Sequence, residues 1–155
     1  MTAPYQDIID NSRAVPTVCP SAEEYRLSLS KQPTVVIVDD DSEIRKALES
    51  LLWSADFNVM SFASAEDALK SSALAEASCL ITDIRMPGMQ GRELQLRMKS
   101  EHPELPAIMI TGHPDEKTRQ GALSDGAVAF LCKPLDPGDL LRAVNSAIAK
   151  SKHGI

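Results

Sequence analysis

From Thr34 onward the chain alternates between short apolar runs and longer segments in which apolar residues recur at helical spacing. The run at 34–40 is rich in β-branched residues and ends in carboxylates, which is typical of a parallel strand that is buried on both faces. Further apolar runs lie at 58–62, 78–83, 106–111 and 127–133. The pattern therefore predicts five strands, each followed by a helix.

Residue spacing and capping signals support a helix after each strand. Ser64, with Asp67 three residues later, marks a helix start by a variant of the capping box. Asp136 precedes Pro137, a residue favoured at the first helical position, and marks the start of the last helix. A further helix is predicted at 115–124. Apolar residues line one face of three of these helices. They are Ile44, Leu48, Leu51, Leu52 and Ala55 in the first helix, Leu94 and Met98 in the third, and Leu140, Leu141, Val144 and Ile148 in the last.

Five strands alternating with five helices indicate an α/β fold, because parallel strands are joined through crossover connections. We expect a three-layer sandwich in which helices cover both faces of a five-stranded parallel sheet. In open sheets of this class, ligands bind beyond the carboxyl ends of the strands, where the strand order reverses. A functional site is therefore expected at that edge.

Residues 1–33 lack this periodicity. They contain four of the ten prolines and scattered polar residues, which predicts a largely irregular N-terminal arm. Ser21 and the glutamate three residues later form a capping-box pattern, so 22–30 is either a short helix or a frayed segment. We expect the folded domain to span 34–150 and to be followed by a short tail at 151–155.

The composition fits one ordinary globular domain. A chain of 155 residues with 43% hydrophobic residues has room for a single core. It carries 16 basic and 22 acidic side chains, a net charge of -6, which argues against direct nucleic-acid binding because such binding draws on Lys and Arg. No apolar run approaches the ~20 residues needed to span a bilayer. The first residues also lack the basic and apolar regions of a secretory signal.

The cysteines give a further indication of the compartment. Cys19, Cys79 and Cys132 are odd in number and have no metal-ligand spacing. Disulfides are rare in reducing compartments, so reduced thiols in a cytoplasmic protein are the simplest interpretation. We expect no membrane association.

Polar residues stand at the carboxyl ends of four predicted strands. Asp39, Asp40 and Asp41 follow the first strand, Asp83 ends the third, Thr111 ends the fourth, and Lys133 ends the fifth. All of these ends should meet at one edge of a parallel sheet. A single aspartate at such a position is usually the N-cap of the next helix, which accounts for Asp41. Capping does not account for the whole set.

The charges of these residues suggest their chemistry. Crowded carboxylates repel one another, so a site built from them needs a cation. Mg²⁺ prefers oxygen ligands, usually one or two carboxylates with waters and a phosphate oxygen. Asp39, Asp40 and Asp83 could hold Mg²⁺, or Mn²⁺ in its place, beside a phosphoryl group whose other oxygens would bind Lys133 and Thr111. An aspartate carboxylate can also be the nucleophile and form an acyl phosphate.

Four segments together resemble the signatures of the response-regulator receiver domain of two-component signalling. They are VIVDDD (36–41), ITDIRMPGM (81–89), MITGH (109–113) and FLCKP (130–134). Their order and spacing match the family, and the wording DIRMPGM with TGH is most similar to the FixJ-type subgroup. The resemblance implies a CheY-like, flavodoxin-like sheet with strand order 2-1-3-4-5.

The resemblance also implies roles for individual residues. Asp83 matches the phosphoacceptor. Asp39 and Asp40 match the acidic pair, in which Asp40 would be the more direct ligand of Mg²⁺, together with Asp83 and the backbone carbonyl of Arg85. Lys133 matches the family's lysine, which precedes a peptide bond to proline that is usually cis.

Other matches concern the response to phosphorylation. Thr111 matches the switch hydroxyl, and Phe130 matches the aromatic residue whose rotamer follows it, although plain core packing also explains Phe130. Arg85 and His113 occupy positions that tune the lifetime of the acyl phosphate in receivers, and they could equally be solvated loop residues. The chain departs from the family at Gln90, where aspartate is common and capping is affected, and at Phe130, which is often tyrosine.

These matches imply a signalling protein that accepts a phosphoryl group from a histidine kinase or a histidine phosphotransfer protein and is not otherwise an enzyme. The new charge would change the face made by the fourth helix, the fifth strand and the last helix, and so signal to a protein target or a second copy of the chain. FixJ-type proteins usually continue into a DNA-binding domain, whereas only SKHGI follows the last predicted helix. We therefore expect a stand-alone receiver that does not bind nucleic acid directly, or a fragment of a longer protein.

Two other functions are compatible with the sequence. One is a protein-binding module that has this fold and is not phosphorylated. The other is a haloacid-dehalogenase-type phosphatase, which also uses an aspartyl nucleophile and Mg²⁺. Its signature, Asp-x-Asp-x-Thr/Ser, is incomplete here because Glu43 follows Asp39-x-Asp41, and no acidic pair follows Lys133.

Overall fold

The computed structural model describes residues 32–153, and one parallel sheet forms the centre of this part of the chain. Its strands are β1 (Thr34–Val38), β2 (Asn58–Phe62), β3 (Cys79–Asp83), β4 (Ala107–Thr111) and β5 (Ala129–Cys132). Their order is β2-β1-β3-β4-β5, and each neighbouring pair is parallel. The expected α/β architecture and strand order are confirmed.

Helices follow the strands, and three of them begin at predicted caps. They are α1 (Ser42–Ser54), α2 (Ala65–Lys70), α3 (Ala73–Glu76), α4 (Gly91–Glu101), α5 (Glu116–Ser124) and α6 (Pro137–His153). Asp41, Ser64 and Asp136 accept backbone hydrogen bonds at the starts of α1, α2 and α6. These side chains satisfy N–H groups that would otherwise lack a partner within the helix.

The strand side chains divide the core into two layers. Val35 and Ile37 pack with α1 and α6 on one face of the sheet, where Leu52 is fully buried. Val36 and Val38 point to the opposite face and pack with α2, α3 and α4. Successive residues of a strand point to opposite faces, so an unbroken apolar run covers both sides of the sheet. This two-sided burial fixes the positions of the strand ends.

The connection between β2 and β3 differs from the prediction, because the single helix expected there is two short helices, α2 and α3. Ser71 separates them and has an extended backbone, with φ -90° and ψ 170°. Its hydroxyl donates to the carbonyl of Ala68 at 2.8 Å and accepts from the N–H of Ala73 at 3.1 Å. The side chain thereby replaces helical hydrogen bonds and lets the helix stop and restart.

The observed elements also differ from the predicted ones at some boundaries. Strand β5 begins at Ala129 rather than at 127, since the N–H of Ala127 still donates to the carbonyl of Ala122 at 3.0 Å, at the end of α5. Gly126, with φ 108°, allows this helix ending. Helix α6 continues to His153, into the segment 151–155 that was predicted as a tail.

Several sequence predictions concern parts of the chain outside the described residues, namely the arm before Gln32, its segment 22–30 and Cys19. The other two cysteines are free, Cys79 being buried and Cys132 exposed. Burial raises the pKa of the Cys79 thiol to about 12, so it stays protonated at neutral pH. No helix in the described range has the length and apolar composition needed to cross a membrane.

Replacing Leu52 with alanine should lower the free energy of unfolding by about 2–5 kcal/mol, because it leaves a cavity between α1 and the sheet. Leu96→Ala is the matched control: its side chain is 48% exposed, and its loss should cost about 0.5 kcal/mol. Urea unfolding followed by circular dichroism measures both values. Equal losses in the two variants would contradict the core position of Leu52.

Candidate functional site

Four residues from four strand ends meet at the carboxyl edge of the sheet. Asp39 directly follows β1, Asp83 and Thr111 are the last residues of β3 and β4, and Lys133 directly follows β5. Asp39 is fully buried, and Asp83 and Thr111 are 7% and 1% exposed. Such burial of polar groups is costly unless they are paired, so their partners determine what the site can do.

Three carboxylates form a compact acidic cluster. Asp39, Asp40 and Asp83 each offer an oxygen, and these oxygens all lie within 4.8 Å of one another. Asp40 is the exposed member. The neighbouring Asp41 is used differently, because its side chain caps α1, as the sequence suggested.

Asp39 is fixed by bonds to its own loop and to α1. Its Oδ1 accepts a hydrogen bond from the backbone N–H of Asp41 at 2.9 Å. Its backbone carbonyl accepts a hydrogen bond from Nη1 of Arg45 at 2.6 Å. The sequence prediction did not include Arg45. The only available signal was its place in the first turns of the helix that follows the aspartates.

Lys133 supplies the positive charge of the site. Its Nζ lies 3.0 Å from Oδ2 of Asp39 and 3.1 Å from Oδ2 of Asp83. One ammonium therefore bridges the two buried carboxylates. The Lys133–Pro134 peptide bond is cis, as the resemblance implied.

The charges perturb each other in opposite directions. Burial and the nearby Asp39 carboxylate raise the pKa of Asp83, and this effect exceeds the lowering by Lys133 and by the backbone N–H of Arg85. Burial lowers the pKa of Lys133, but the carboxylates of Asp39 and Asp83 more than compensate, so its pKa is raised overall. Lys133 stays charged at neutral pH, and the cluster still has an excess of negative charge.

The donor set fits Mg²⁺, the ion that the sequence suggested. Hard carboxylate oxygens are the ligands that this ion prefers, and the three carboxylates are close enough to share it. Apart from its ion pair with Lys133, the buried Oδ2 of Asp39 accepts no hydrogen bond from the described part of the chain. A buried carboxylate oxygen whose one partner among the described residues is an ammonium keeps a further lone pair that can bind a cation.

The end of β3 has a steric requirement that the sequence analysis missed. Gly91 is the first residue of α4, and a Cβ at this position would lie 2.1 Å from the carbonyl oxygen of Asp83. Its N–H donates to the carbonyl of Ile84 at 2.9 Å. A glycine that opens a predicted helix was the signal. Only glycine lets α4 begin this close to Asp83.

Thr111 and Phe130 lie on the β4–β5 side of the site. Oγ1 of Thr111 accepts the backbone N–H of His113 at 3.0 Å, and the carbonyl of Thr111 accepts the N–H of Lys133 at 2.8 Å. Phe130 is half-buried and packs beside Met109. It also lines a surface cavity of about 260 Å³, together with the residues Pro114, Asp115, Glu116, Arg119 and Cys132.

The remaining predicted residues lie at the rim of the site. The side chains of Arg85 and His113 are exposed, and both residues act toward the site through their backbone N–H groups. Gln90 precedes α4, where its N–H donates to Oε1 of Glu93 at 2.8 Å and its Nε2 donates to the carbonyl of Met86 at 2.8 Å. Gln90 therefore takes part in helix capping, the function expected to be affected at this position.

Known proteins resemble this chain in sequence and in fold. Residues 35–145 match the family model described as the response regulator receiver domain. The C4-dicarboxylate transport transcriptional regulatory protein DctD of Rhizobium meliloti is 40% identical over 124 residues, which cover 80% of this chain and 27% of DctD. The transcriptional regulatory protein FixJ of Bradyrhizobium diazoefficiens is 36% identical over 118 residues, which cover 76% of this chain and 58% of FixJ. The chain therefore spans less than two thirds of the length of these relatives.

Solved structures show the same fold. The crystal structure of FixJ-N has 36% sequence identity and a TM-score of 0.69, and the match covers 79% of this chain and 96% of that one. A response regulator receiver domain protein from Clostridium thermocellum has 28% identity and a TM-score of 0.75, with 79% and 99% covered. The match to the family model, the FixJ relatives and the shared sheet topology lead to one conclusion: the chain belongs to the response regulator receiver domain family of two-component signalling.

Proposed function

We propose that this receiver accepts a phosphoryl group on Asp83, in a reaction that requires Mg²⁺, and passes the signal to a protein partner by changing shape. The donor in this proposal is a histidine kinase or a histidine phosphotransfer protein. The observation that carries the proposal is that Lys133 Nζ lies 3.0 Å and 3.1 Å from two members of a three-carboxylate cluster. Phosphoryl transfer depends mainly on positioning and on charge neutralisation, and this arrangement suits both.

In the proposed reaction a carboxylate oxygen of Asp83 attacks the phosphorus of a phosphohistidine. The P–N bond breaks, and its electron pair goes to the imidazole, which takes up a proton. The products are an acyl phosphate on Asp83 and a free histidine on the donor. The chain is an enzyme only toward itself, since the later hydrolysis of this acyl phosphate restores the starting state.

The surrounding residues would bind Mg²⁺ and the phosphoryl group. Asp39, Asp40, Asp83 and the carbonyl of Arg85 would hold Mg²⁺, which when bound neutralises negative charge on the carboxylates and on phosphoryl oxygens. The ammonium of Lys133 is already within ion-pair distance of Asp83, and so it is close to the position of the new phosphoryl group.

The proposed switch begins at Thr111. A phosphoryl oxygen would attract its hydroxyl, which now accepts the backbone N–H of His113. Phe130 borders a surface cavity and could turn as Thr111 moves, which would reshape the face formed by α5, β5 and α6. The rim side chains of Arg85 and His113 would tune the lifetime of the acyl phosphate by controlling the access of water.

The output in this proposal is a protein contact, either with a downstream target or with a second phosphorylated copy of the chain. The relatives DctD and FixJ are named transcriptional regulatory proteins. The net charge of -6 makes direct contact with nucleic acid unfavourable for the residues present here. Membership of the receiver family favours this function over a haloacid-dehalogenase-type phosphatase.

Asp83→Asn should take up no phosphoryl group from acetyl phosphate and Mg²⁺, because an amide is not a nucleophile toward phosphorus. Intact-protein mass spectrometry over time measures the uptake. Asp67→Asn, an exposed aspartate on α2, is the control and should react like the wild type. Uptake by Asp83→Asn at the wild-type level would contradict the assignment. No uptake by the wild type would favour the unphosphorylated binding module.

Asp83 should make the stability of the metal-free protein fall as the pH rises. Its raised pKa means that the folded state holds the proton more tightly than the unfolded state does. This stabilisation is complete below the unfolded pKa of about 4 and is lost as the pH rises through the raised pKa. With EDTA, Asp83→Asn should therefore be more stable than the wild type near pH 7, and the difference should shrink toward low pH.

Urea unfolding at several pH values tests this prediction. Lys133 keeps its ion pair with Asp39 in the variant, so the comparison isolates the Asp83 charge. Adding Mg²⁺ should stabilise the wild type more than the variant, because a ligand that binds only the folded state adds to its stability. If the free energy of unfolding changed with pH in the same way for both proteins, the charge of Asp83 would not be destabilising in the metal-free protein.

Thr111→Ala should separate phosphoryl uptake from the conformational response. The variant keeps Asp83 and Lys133, so it should still bind beryllofluoride with Mg²⁺, but backbone chemical-shift changes at Phe130 and Cys132 should be largely lost. Two-dimensional ¹H–¹⁵N spectra measure these changes. Thr34→Ala, at the other end of the sheet, is the control and should respond like the wild type. A full response in Thr111→Ala would rule out its role in the switch.

A further inference from the structure

The loop that joins Asp83 to α4 is held at its far end by a residue of another helix. Gly91 and Gln90 make the hydrogen bonds that close the loop from within. Oε2 of Glu66, on α2, accepts the backbone N–H of Met89 at 2.9 Å, across 23 positions of sequence. Neither the phosphoryl chemistry nor the sequence motifs assign a role to this contact.

Glu66 is well placed to hold this part of the loop. Its carboxylate lies against the backbone of Gly88, where an added Cβ would be 2.6 Å from Oε2, and Gly88 has φ 78°. The hydrogen bond from Met89 lowers the pKa of Glu66, so the carboxylate is ionised and the bond is charge-assisted. Ala65 and Ala68 are fully buried and fix α2 to the core, so Glu66 extends from a rigid element.

The same loop carries two backbone groups of the site. The N–H of Arg85 acts on the Asp83 carboxylate, and the carbonyl of Arg85 is a proposed ligand of Mg²⁺. A main-chain ligand cannot adjust by changing a rotamer, so its position depends on the conformation of the whole loop. Groups that support a metal ligand from outside commonly affect affinity for the metal.

We propose that Glu66 is a positioning residue for phosphoryl uptake: by binding the N–H of Met89, it fixes the loop that presents the Arg85 backbone to Mg²⁺ and to Asp83. This inference rests on the proposed function. Glu66 touches none of the reacting atoms. Met86 is buried and Met89 is partly buried against the core, so the loop has a second anchor that keeps it folded when Glu66 is replaced.

Isothermal titration of the full chain with Mg²⁺ and timed uptake from acetyl phosphate test the inference. Glu66→Ala should weaken Mg²⁺ binding and slow uptake by about threefold to tenfold, the effect expected for one supporting hydrogen bond. Glu66→Gln should stay near the wild type, because its amide oxygen can accept the same N–H. Asp67→Asn removes the same charge from the same helix, makes no hydrogen bond to the loop, and should also stay near the wild type.

Two results would overturn the inference. In one, Glu66→Ala binds Mg²⁺ and takes up phosphoryl groups like the wild type. In the other, Glu66→Gln and Asp67→Asn lose as much Mg²⁺ affinity and uptake rate as Glu66→Ala does. That result would mean that the negative charge of α2 acts at a distance and that the hydrogen bond to Met89 has no role. Thermal unfolding checks that the variants fold. If Glu66→Ala does not fold, Glu66→Asp replaces it, because the shorter side chain cannot reach the N–H of Met89. A wild type that neither binds Mg²⁺ nor reacts refutes the proposed function itself.

Discussion

The ion pairs of Lys133 are the interaction on which the carboxyl edge of this domain depends. Asp39 and Asp83 are both buried, and their two carboxylates repel each other. A single ammonium 3.0 Å and 3.1 Å away makes their burial tolerable, and the carboxylates in turn keep that ammonium charged. The compensation is partial, since the pKa of Asp83 remains raised. The negative charge that is left over makes the site attractive to a divalent cation.

The sheet turns this electrostatic arrangement into a fixed geometry. The strands β1, β3 and β4 are buried on both faces, so their ends cannot move without disturbing a core layer. The edge strand β5, which leads to Lys133, is only partly buried and is held by its pairing with β4. Local contacts refine the positions further: Arg45 binds the carbonyl of Asp39, and Gly91 lets α4 begin against the carbonyl of Asp83. The site is preorganised because the groups that carry its charges belong to the rigid part of the fold.

The sequence predicted the features that depend on periodicity and on strand direction. The strand order and the convergence of Asp39, Asp83 and Lys133 belong to this class, since parallel strands bring their carboxyl ends together. It did not predict the break at Ser71, where a hydroxyl competes with the backbone for hydrogen bonds. Nor did it predict the contact of Glu66 with Met89, which depends on how α2 packs beside a distant loop. Such contacts leave no regular pattern in a single sequence.

The hydrogen bond from the backbone N–H of His113 to Oγ1 of Thr111 affects the population of the switched form before phosphorylation. In the proposed switch this bond breaks before the hydroxyl reaches a phosphoryl oxygen. A neutral hydrogen bond contributes about 0.5–1.5 kcal/mol, which by itself lowers the population of the switched form by roughly two- to twelvefold. A bias of this size would leave a small population of the switched form before phosphorylation. In the proposed switch, the main chain of one short loop would therefore help to set the output of the unphosphorylated protein.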